Sequence, residues 1–337
     1  MNRRLLLRER PTGDVGPEHF ELVETDVPEP GEGEVVLRTQ WLSFDPSQRG
    51  FLNDIKSYAP PVALGEVMRA DGIGEVVASR AEGVEVGRLV HTSVGWQNYA
   101  VVDPAQAELF ELVPADVPHP EMVLAVLGIT GFTAYFGMTE IGRPGEGDTV
   151  LVTAAAGATG SIAGQIARIK GATRVIGTAG SAEKRAWVRE VAGFDDCLDH
   201  YDEKIRRRIR ETAPEGLHVV FDNVGGSLLD ACLFNIALQA RVVLCGSIST
   251  GYRPERPEVG LHYYQLLTTR RSRMEGFLVT DFAARFDEAR ADLLAWVTEG
   301  RLRQEYDVLT GLERAPEALH RLFTGQNLGK QLVQVES

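Results

Sequence analysis

The sequence predicts an α/β fold in which a parallel sheet, covered on both faces, sits beside a β-rich, partly closed antiparallel barrel. Three observations predict it. Residues 20 to 110 carry short, closely spaced strand-like runs broken by Gly, Pro and acidic turns. From residue 149 onward strands and helices alternate repeatedly, the pattern of a parallel sheet. Between the first strand and helix of that series lies a turn of small residues, Ala155 to Gly160.

In chain order, FELVETDVP, EVVLRTQWLS, GIGEVVAS and GRLVHTSVGWQNYAVV read as strands, with turns at Pro28 to Gly33, Ala81 to Gly87 and Asp103 to Pro104. The long interruption Asp45 to Leu64 is a loop of the length that often carries function. Pro114 to Pro120 marks a boundary. Glu121 to Met138 then has helical spacing, where Gly128 and Gly131 imply close packing or contact with a bound molecule. The alternating series follows: strands at Thr149 to Ala154, Arg174 to Gly177, Cys197 to His200, His218 to Asp222 and Arg241 to Ser247, with helices at Ser161 to Lys170, Glu203 to Thr212 and after Gly226. Leu261 to Arg271 and Phe282 to Glu299 are helical in pattern, and Met274 to Val279 reads as a sixth strand. Ala315 to Phe323 reads as a helix and Lys330 to Val335 as a strand returning to the barrel. The expected divisions are 1–120, 121–300 and a C-terminal return at 301–337.

A strand, a glycine turn and a helix in that order present free backbone N–H groups and a helix dipole to a phosphate, so a nucleotide cofactor is expected. Gly157, Gly160 and Gly164 depart from GxGxxG spacing, and their meaning comes from the strand and helix around them. Gly157 would allow the tight turn, Gly160 a close backbone approach to pyrophosphate, and Ala163 or Gly164 close helix-to-sheet contact. An NAD site usually has a carboxylate at the end of the second strand; here Thr178, Ala179, Gly180 and Ser181 stand there, followed by Lys184 and Arg185. A hydroxyl and two cations suit the 2'-phosphate of NADP(H). Ligands of parallel sheets lie beyond the strands' carboxyl ends, which nominates Asn223, Val224, Gly246, Ser247 and Ile248 as cofactor neighbours.

With 337 residues, 44% hydrophobic and 25% charged, the chain can build two cores. Its net charge of -13 argues against a nucleic-acid partner. No apolar run reaches membrane-spanning length, and MNRRLLLRER lacks the features of a signal peptide, so neither a membrane nor export is expected and the cytoplasm is the expected location. Cys197, Cys232 and Cys245 are single, as expected of buried thiols in a reducing compartment. No CxxC, HExxH or compact Cys/His cluster is present, so no metal is expected.

The chain resembles the zinc-independent branch of the medium-chain dehydrogenase/reductases, the group of leukotriene B4 12-hydroxydehydrogenase, prostaglandin reductases and alkenal double-bond reductases. The resemblance is carried by LSFDPSQRG (Leu42 to Gly50), KSYAPPV (Lys56 to Val62), LGEVM (Leu64 to Met68), AAAGATGSIAGQIARIKG (Ala154 to Gly171), AGSAEK (Ala179 to Lys184), FDNVGG (Phe221 to Gly226), CGSIS (Cys245 to Ser249), MEGF (Met274 to Phe277) and NLGK (Asn327 to Lys330). It implies a Rossmann-type domain beside a GroES-like barrel, NADPH-dependent reduction of the carbon–carbon double bond of an enal or enone, and a homodimer formed through the nucleotide domains. It also implies cofactor contacts at Gly157, Ala158, Thr159, Gly160, Gly180, Ser181, Gly246, Ser247, Ile248 and Phe277. Lys184 would hold the 2'-phosphate with help from Tyr201, Asn223 would face the ribose region, and Asn327 the pyrophosphate or nicotinamide side.

Two departures stand out. Ser47 and Gln48 replace the aromatic residue and methionine usual after the DP pair, which implies a smaller or more polar enone. The tyrosine after the fifth strand is displaced by one residue, to Tyr252. Tyr252 is the candidate proton donor or ribose contact, and Tyr58 a second substrate contact. The alternatives are a quinone reductase of the same superfamily and a non-catalytic NADPH-binding redox sensor.

Overall fold

The computed structural model describes residues 1–55, 59–115, 117–253 and 260–335. The arginine-flanked leucines at the N-terminus form β1 (Asn2–Leu7), paired antiparallel with β2 (Phe20–Thr25) in a small separate sheet. β3 (Val35–Ser43) leads into a short helix, α1 (Ser47–Phe51), inside the long loop. Then come β4 (Asp71–Ser79), β5 (Leu89–Ser93), β6 (Tyr99–Val102) and β7 (Phe110–Leu112). They curl around Trp96, which is fully buried with Phe20 and Phe44 at ring separations of 4.8 and 5.6 Å.

The single helix expected over Glu121 to Met138 is instead three pieces: a 3-10 turn at Pro120–Leu124, α2 (Ile129–Phe136) and a π turn at Gly137–Gly142. The break has a steric cause. A Cβ at Gly128 would stand 1.9 Å from the Val123 carbonyl oxygen, and one at Gly131 1.9 Å from that of Val126, so both glycines serve chain-on-chain packing.

The alternating series then runs β8 (Thr149–Val152), α3 (Ala158–Ile169), β9 (Arg174–Ala179), α4 (Ala182–Glu190), β10 (Asp196–Asp199), α5 (Ile205–Thr212), β11 (Leu217–Asp222), α6 (Gly226–Phe234) and β12 (Ile236–Leu244). After α7 (Leu266–Thr269), β13 (Arg273–Gly276) closes the series. The sheet order is β10-β9-β8-β11-β12-β13, every pairing parallel. The chain winds outward from β8 in one direction and restarts beside it at β11, so the crevice above β8 and β11 is the switch point where ligands of such sheets bind. One core, with Val150, Ile162 and Phe221, lies on one face, and a second, with Leu151, Ile209 and Leu233, on the other.

α8 (Phe286–Thr298) packs back onto α2 through Phe286 and Phe132, 4.7 Å apart. β14 (Tyr306–Thr310), α9 (Ala315–Thr324) and β15 (Lys330–Gln334) end the chain. β15 pairs with β3, so the last strand joins the seven-stranded sheet of the N-terminal part, β14-β15-β3-β4-β5-β7 with β6 against β3. No helix among the described residues is long and apolar enough to cross a membrane.

Candidate active site

The ends of β8 and β11 are tied together by one buried carboxylate. Asp222 is fully buried; Thr153 donates its hydroxyl to it at 2.8 Å, and the Gly225 and Val224 N–H groups donate at 2.8 and 3.3 Å. Burial pushes this carboxyl above its usual range, against the pull of those hydrogen bonds. Asn223 completes the knot: its side-chain amide donates to the Thr153 carbonyl at 2.8 Å, and its own carbonyl accepts from Ile248 N–H at 3.2 Å. Ser249 N–H donates to the Val224 carbonyl at 3.0 Å, and a Cβ on Gly246 would stand 3.2 Å from the Asn223 carbonyl. Asn223, Gly246, Ser247 and Ile248 are thus gathered at the switch point.

The glycine turn begins with a left-handed residue, Ala154 at φ 50°, and Gly157 is the N-cap of α3 with no side chain capping it. Ala158, Thr159 and Gly160 form the first helical turn, so its N–H groups are presented to an anion. Helix α3 starts three residues earlier than its periodicity indicates, because Ala, Thr and Gly give no apolar rhythm. Gly160 also has a packing reason: its Cβ would meet the Ala154 carbonyl oxygen at 2.4 Å.

At the end of β9, Ser181 caps α4 by accepting from Lys184 N–H at 3.1 Å. The Lys184 ammonium donates to the Gly325 carbonyl at 2.8 Å, and burial holds its pKa below the ordinary lysine value, with Asp307 opposing. Arg185 is engaged by Asp199 at 2.9 Å and by the Gly180 carbonyl at 2.8 Å. The exposed Tyr201 ring covers Gly180, whose Cβ would lie 2.8 Å from it, and stands edge-on to His200 at 4.2 Å. The pair of cations expected here therefore divides: Arg185 braces the strand ends, and Lys184 has a backbone carbonyl rather than a carboxylate as its close partner.

The C-terminal segment adds a wall that the alternating pattern does not announce. Gly329 bridges to Gly157, donating its N–H to the Ala156 carbonyl at 2.8 Å, and the buried Asn327 holds this bend through the Gly329 carbonyl at 3.0 Å. The next residue, Lys330, is 1% exposed; its ammonium meets Asp45 at 2.6 Å and the Thr130 hydroxyl at 3.3 Å. Beside it opens a cavity of about 210 Å³, lined by Asp45, Ser47, Gln48, Asp71, His91 and Thr130 among others. Burial raises the Asp71 carboxyl above its usual range, with His91 opposing.

The remaining expected residues lie apart. Tyr252 has φ 52°, turns its ring toward Phe323 at a centroid separation of 6.4 Å, and stands 3.8 Å from where a Cβ on Gly50 would be. Its carbonyl accepts from the Asn53 side chain at 2.7 Å, linking the loop after β12 to the loop after β3. Phe277 packs in the core against Gly137 and Phe282. Tyr58 lies outside the described residues.

These groups fit a phosphorylated dinucleotide: an uncapped helix N-terminus at the switch point, and a half-buried ammonium beside a helix-capping hydroxyl one strand away. Among the described residues no group of three or more His, Cys, Asp or Glu is placed to hold a metal ion.

Two family models match the chain, one described as the N-terminal domain of oxidoreductase at residues 3–120, the other as zinc-binding dehydrogenase at 158–298. An NADPH-dependent curcumin reductase of Escherichia coli (strain K12) is 39% identical, over 99% of this chain and 97% of that one. A 2-alkenal reductase (NADP(+)-dependent) of Nicotiana tabacum is 36% identical over the same shares. Among solved structures, CurA from Vibrio vulnificus in complex with NADPH superposes with a TM-score of 0.92 at 39% identity, covering 99% of both chains.

Proposed function

The chain belongs to the zinc-independent medium-chain dehydrogenase/reductases, and from that premise we propose that it reduces the carbon–carbon double bond of α,β-unsaturated aldehydes or ketones with NADPH. The observation that carries this reading is the uncapped N-terminus of α3 held by the Gly157–Gly329 bridge, one residue from Lys330, whose partners Asp45 and Thr130 line the cavity. The bound cofactor supplies a hydride to the β-carbon of the enone, and the enolate so formed takes a proton at its α-carbon.

The chain's own residues hold and orient. The first N–H groups of α3, at Ala158, Thr159 and Gly160, receive the pyrophosphate; Lys184 and Ser181, with the Tyr201 ring over Gly180, receive the 2'-phosphate. Asn223 and Gly246 to Ile248 border the ribose, and Asn327 keeps the Gly329 bend against the turn. Polar groups around the cavity supply fixed dipoles where enolate charge develops, which is positioning and electrostatic preorganisation without a metal. Tyr252 is the candidate proton donor; its ring stands edge-on to Phe323, and it is not among the residues that line the cavity. We further propose a homodimer through the nucleotide sheet, in the cytoplasm; β13 is the last strand of that sheet, and exposed Tyr264 and Leu278 flank it. Sedimentation equilibrium reads the assembly: a single monomer mass at micromolar concentration rejects it.

A screen of NADPH oxidation against enals, enones and quinones, with product analysis, tests the activity. Saturated carbonyl products support the reading; allylic alcohols, or turnover of quinones alone, reject it.

A further inference from the structure

Lys330 places a buried charge where three separate parts of the chain meet. Its side chain is 1% exposed, and its ammonium donates to Asp45 Oδ1 at 2.6 Å and to the Thr130 hydroxyl at 3.3 Å. Asp45 lies in the loop between β3 and α1, and its other carboxylate oxygen accepts from the Ser43 hydroxyl at 3.0 Å, so both oxygens are held. Thr130 is the second residue of α2 and is itself buried. Ser43, Asp45 and Thr130 all line the cavity.

The backbone of the same segment is fixed to the glycine turn. Gly329 N–H donates to the Ala156 carbonyl at 2.8 Å, and Lys330 N–H donates to the Glu305 carbonyl at 2.9 Å. Gly329 has φ 70°, and a Cβ there would stand 2.1 Å from the Glu305 carbonyl oxygen, so the chain passes this point in close backbone contact. A continuous series of hydrogen bonds therefore runs from the turn that starts α3, through Gly329 and Lys330, to two walls of the cavity.

Stability alone does not account for the charge. An ammonium taken out of water loses hydration that its partner only partly returns, and an apolar pair of similar volume is often as stable or more so. What a charged hydrogen bond adds is a fixed distance and direction. Hydride transfer needs both, since the reacting atoms must come within about 3–3.5 Å and a misplacement of about 1 Å can cost roughly 100-fold in rate.

We propose that Lys330 is a positioning residue of the reaction: by clamping Asp45 and Thr130 it sets the cavity wall that receives the enone at a fixed place relative to the turn that receives the cofactor. The proposal rests on the enone-reductase reading. Lys330 acts through its two partners and does not itself line the cavity.

The test compares the native protein with Lys330→Met and with the double variant Lys330→Met, Asp45→Asn, using NADPH and the enone of highest native turnover. Both variants should fold: the Asp45 side chain is 43% exposed and stays solvated when its partner is lost, and the double variant removes both charges. Both should lower kcat by the same factor, roughly 10- to 100-fold, because the pair acts as a unit. The dissociation constant of NADPH, read by titration calorimetry, should stay at the native value, since Asn327 and backbone bonds hold the Gly329 bend. The melting temperature of the double variant should be native or higher. A native kcat in either folded variant overturns the proposal. So does a kcat loss accompanied by an equal loss of NADPH affinity, which would make Lys330 part of the cofactor site. A kcat that recovers together with the melting temperature in the double variant overturns it too, leaving a role in stability alone. No reduction of any enone by the native protein would instead reject the reading on which the proposal rests.

Discussion

In the proposed site Lys184 carries the cofactor choice, and its setting sharpens what its loss should do. Among the described residues its ammonium has the Gly325 carbonyl as its one hydrogen-bond partner, so a 2'-phosphate would gain a charged hydrogen bond there. Lys184→Ala should lower kcat/KM with NADPH by roughly 10- to 100-fold, taking that bond as about 1.5–3 kcal/mol, and change the NADH value much less. Equal losses with both cofactors would make Lys184 a framework residue. Burial lowers its pKa, so its proton leaves earlier on the alkaline side than a solvated lysine's. NADPH affinity should therefore decline as pH rises through that lowered value, with NADH affinity flat; titrations of both cofactors across the alkaline range read this directly. For stability the sign is reversed. Below the folded pKa both states hold the proton and the fold bears the desolvation cost, which is relieved as pH rises toward the unfolded value. Tyr252→Phe should lower kcat while leaving the melting temperature unchanged, and an unaltered kcat and cofactor KM removes Tyr252 from the site. At this scale the sequence was readable where chemistry is local: Ser181 and Lys184 are three residues apart on one helix turn. It was silent on Lys330, because the partner that draws the ammonium inward is Asp45, 285 positions away. It was equally silent on Asp222, whose role depends on Thr153 at the end of another strand.

Among the elements, long runs with clear periodicity stood out in the sequence, and small-residue or short segments did not. The strands β8, β9 and β11 and the helix α5 are apolar runs or strongly two-faced segments, and each lies within a few residues of its expected place. β1 was missed because Arg3 and Arg4 mask its alternation, and β14 because five residues with two half-exposed apolar side chains give little signal. Close contact at Gly164 is made to a side chain wedged between helix and sheet rather than to the sheet itself: a Cβ there would stand 1.9 Å from the ring of buried Phe194, which follows α4 and also lies against Gly177 of β9. Gly164→Ala should accordingly destabilise the protein by about 1–3 kcal/mol through overpacking, measured by denaturant unfolding. An unchanged midpoint would mean that Phe194 yields freely.

For the whole molecule, the two sheets meet where Gly329 lies against the glycine turn and the next residue, Lys330, starts β15 in the seven-stranded sheet, so the segment Asn327 to Lys330 braces the glycine turn and holds Asp45, which lines the cavity. The architecture was legible because composition and spacing change abruptly near residue 120; the cavity was not, since its walls come from β3, α1, β4, β5, the turn at Pro120–Leu124 and α2. Catalysis by positioning and fixed dipoles needs no metal, so activity should survive exhaustive chelation with metal content near zero. Stoichiometric zinc whose removal abolishes turnover would refute that. The most direct test of the central claim is product analysis after reduction of one enone with NADPH deuterated at nicotinamide C4. The account predicts a saturated ketone with deuterium on the β-carbon and a solvent-derived hydrogen on the α-carbon. Deuterium on the carbonyl carbon, giving an allylic alcohol, would contradict it.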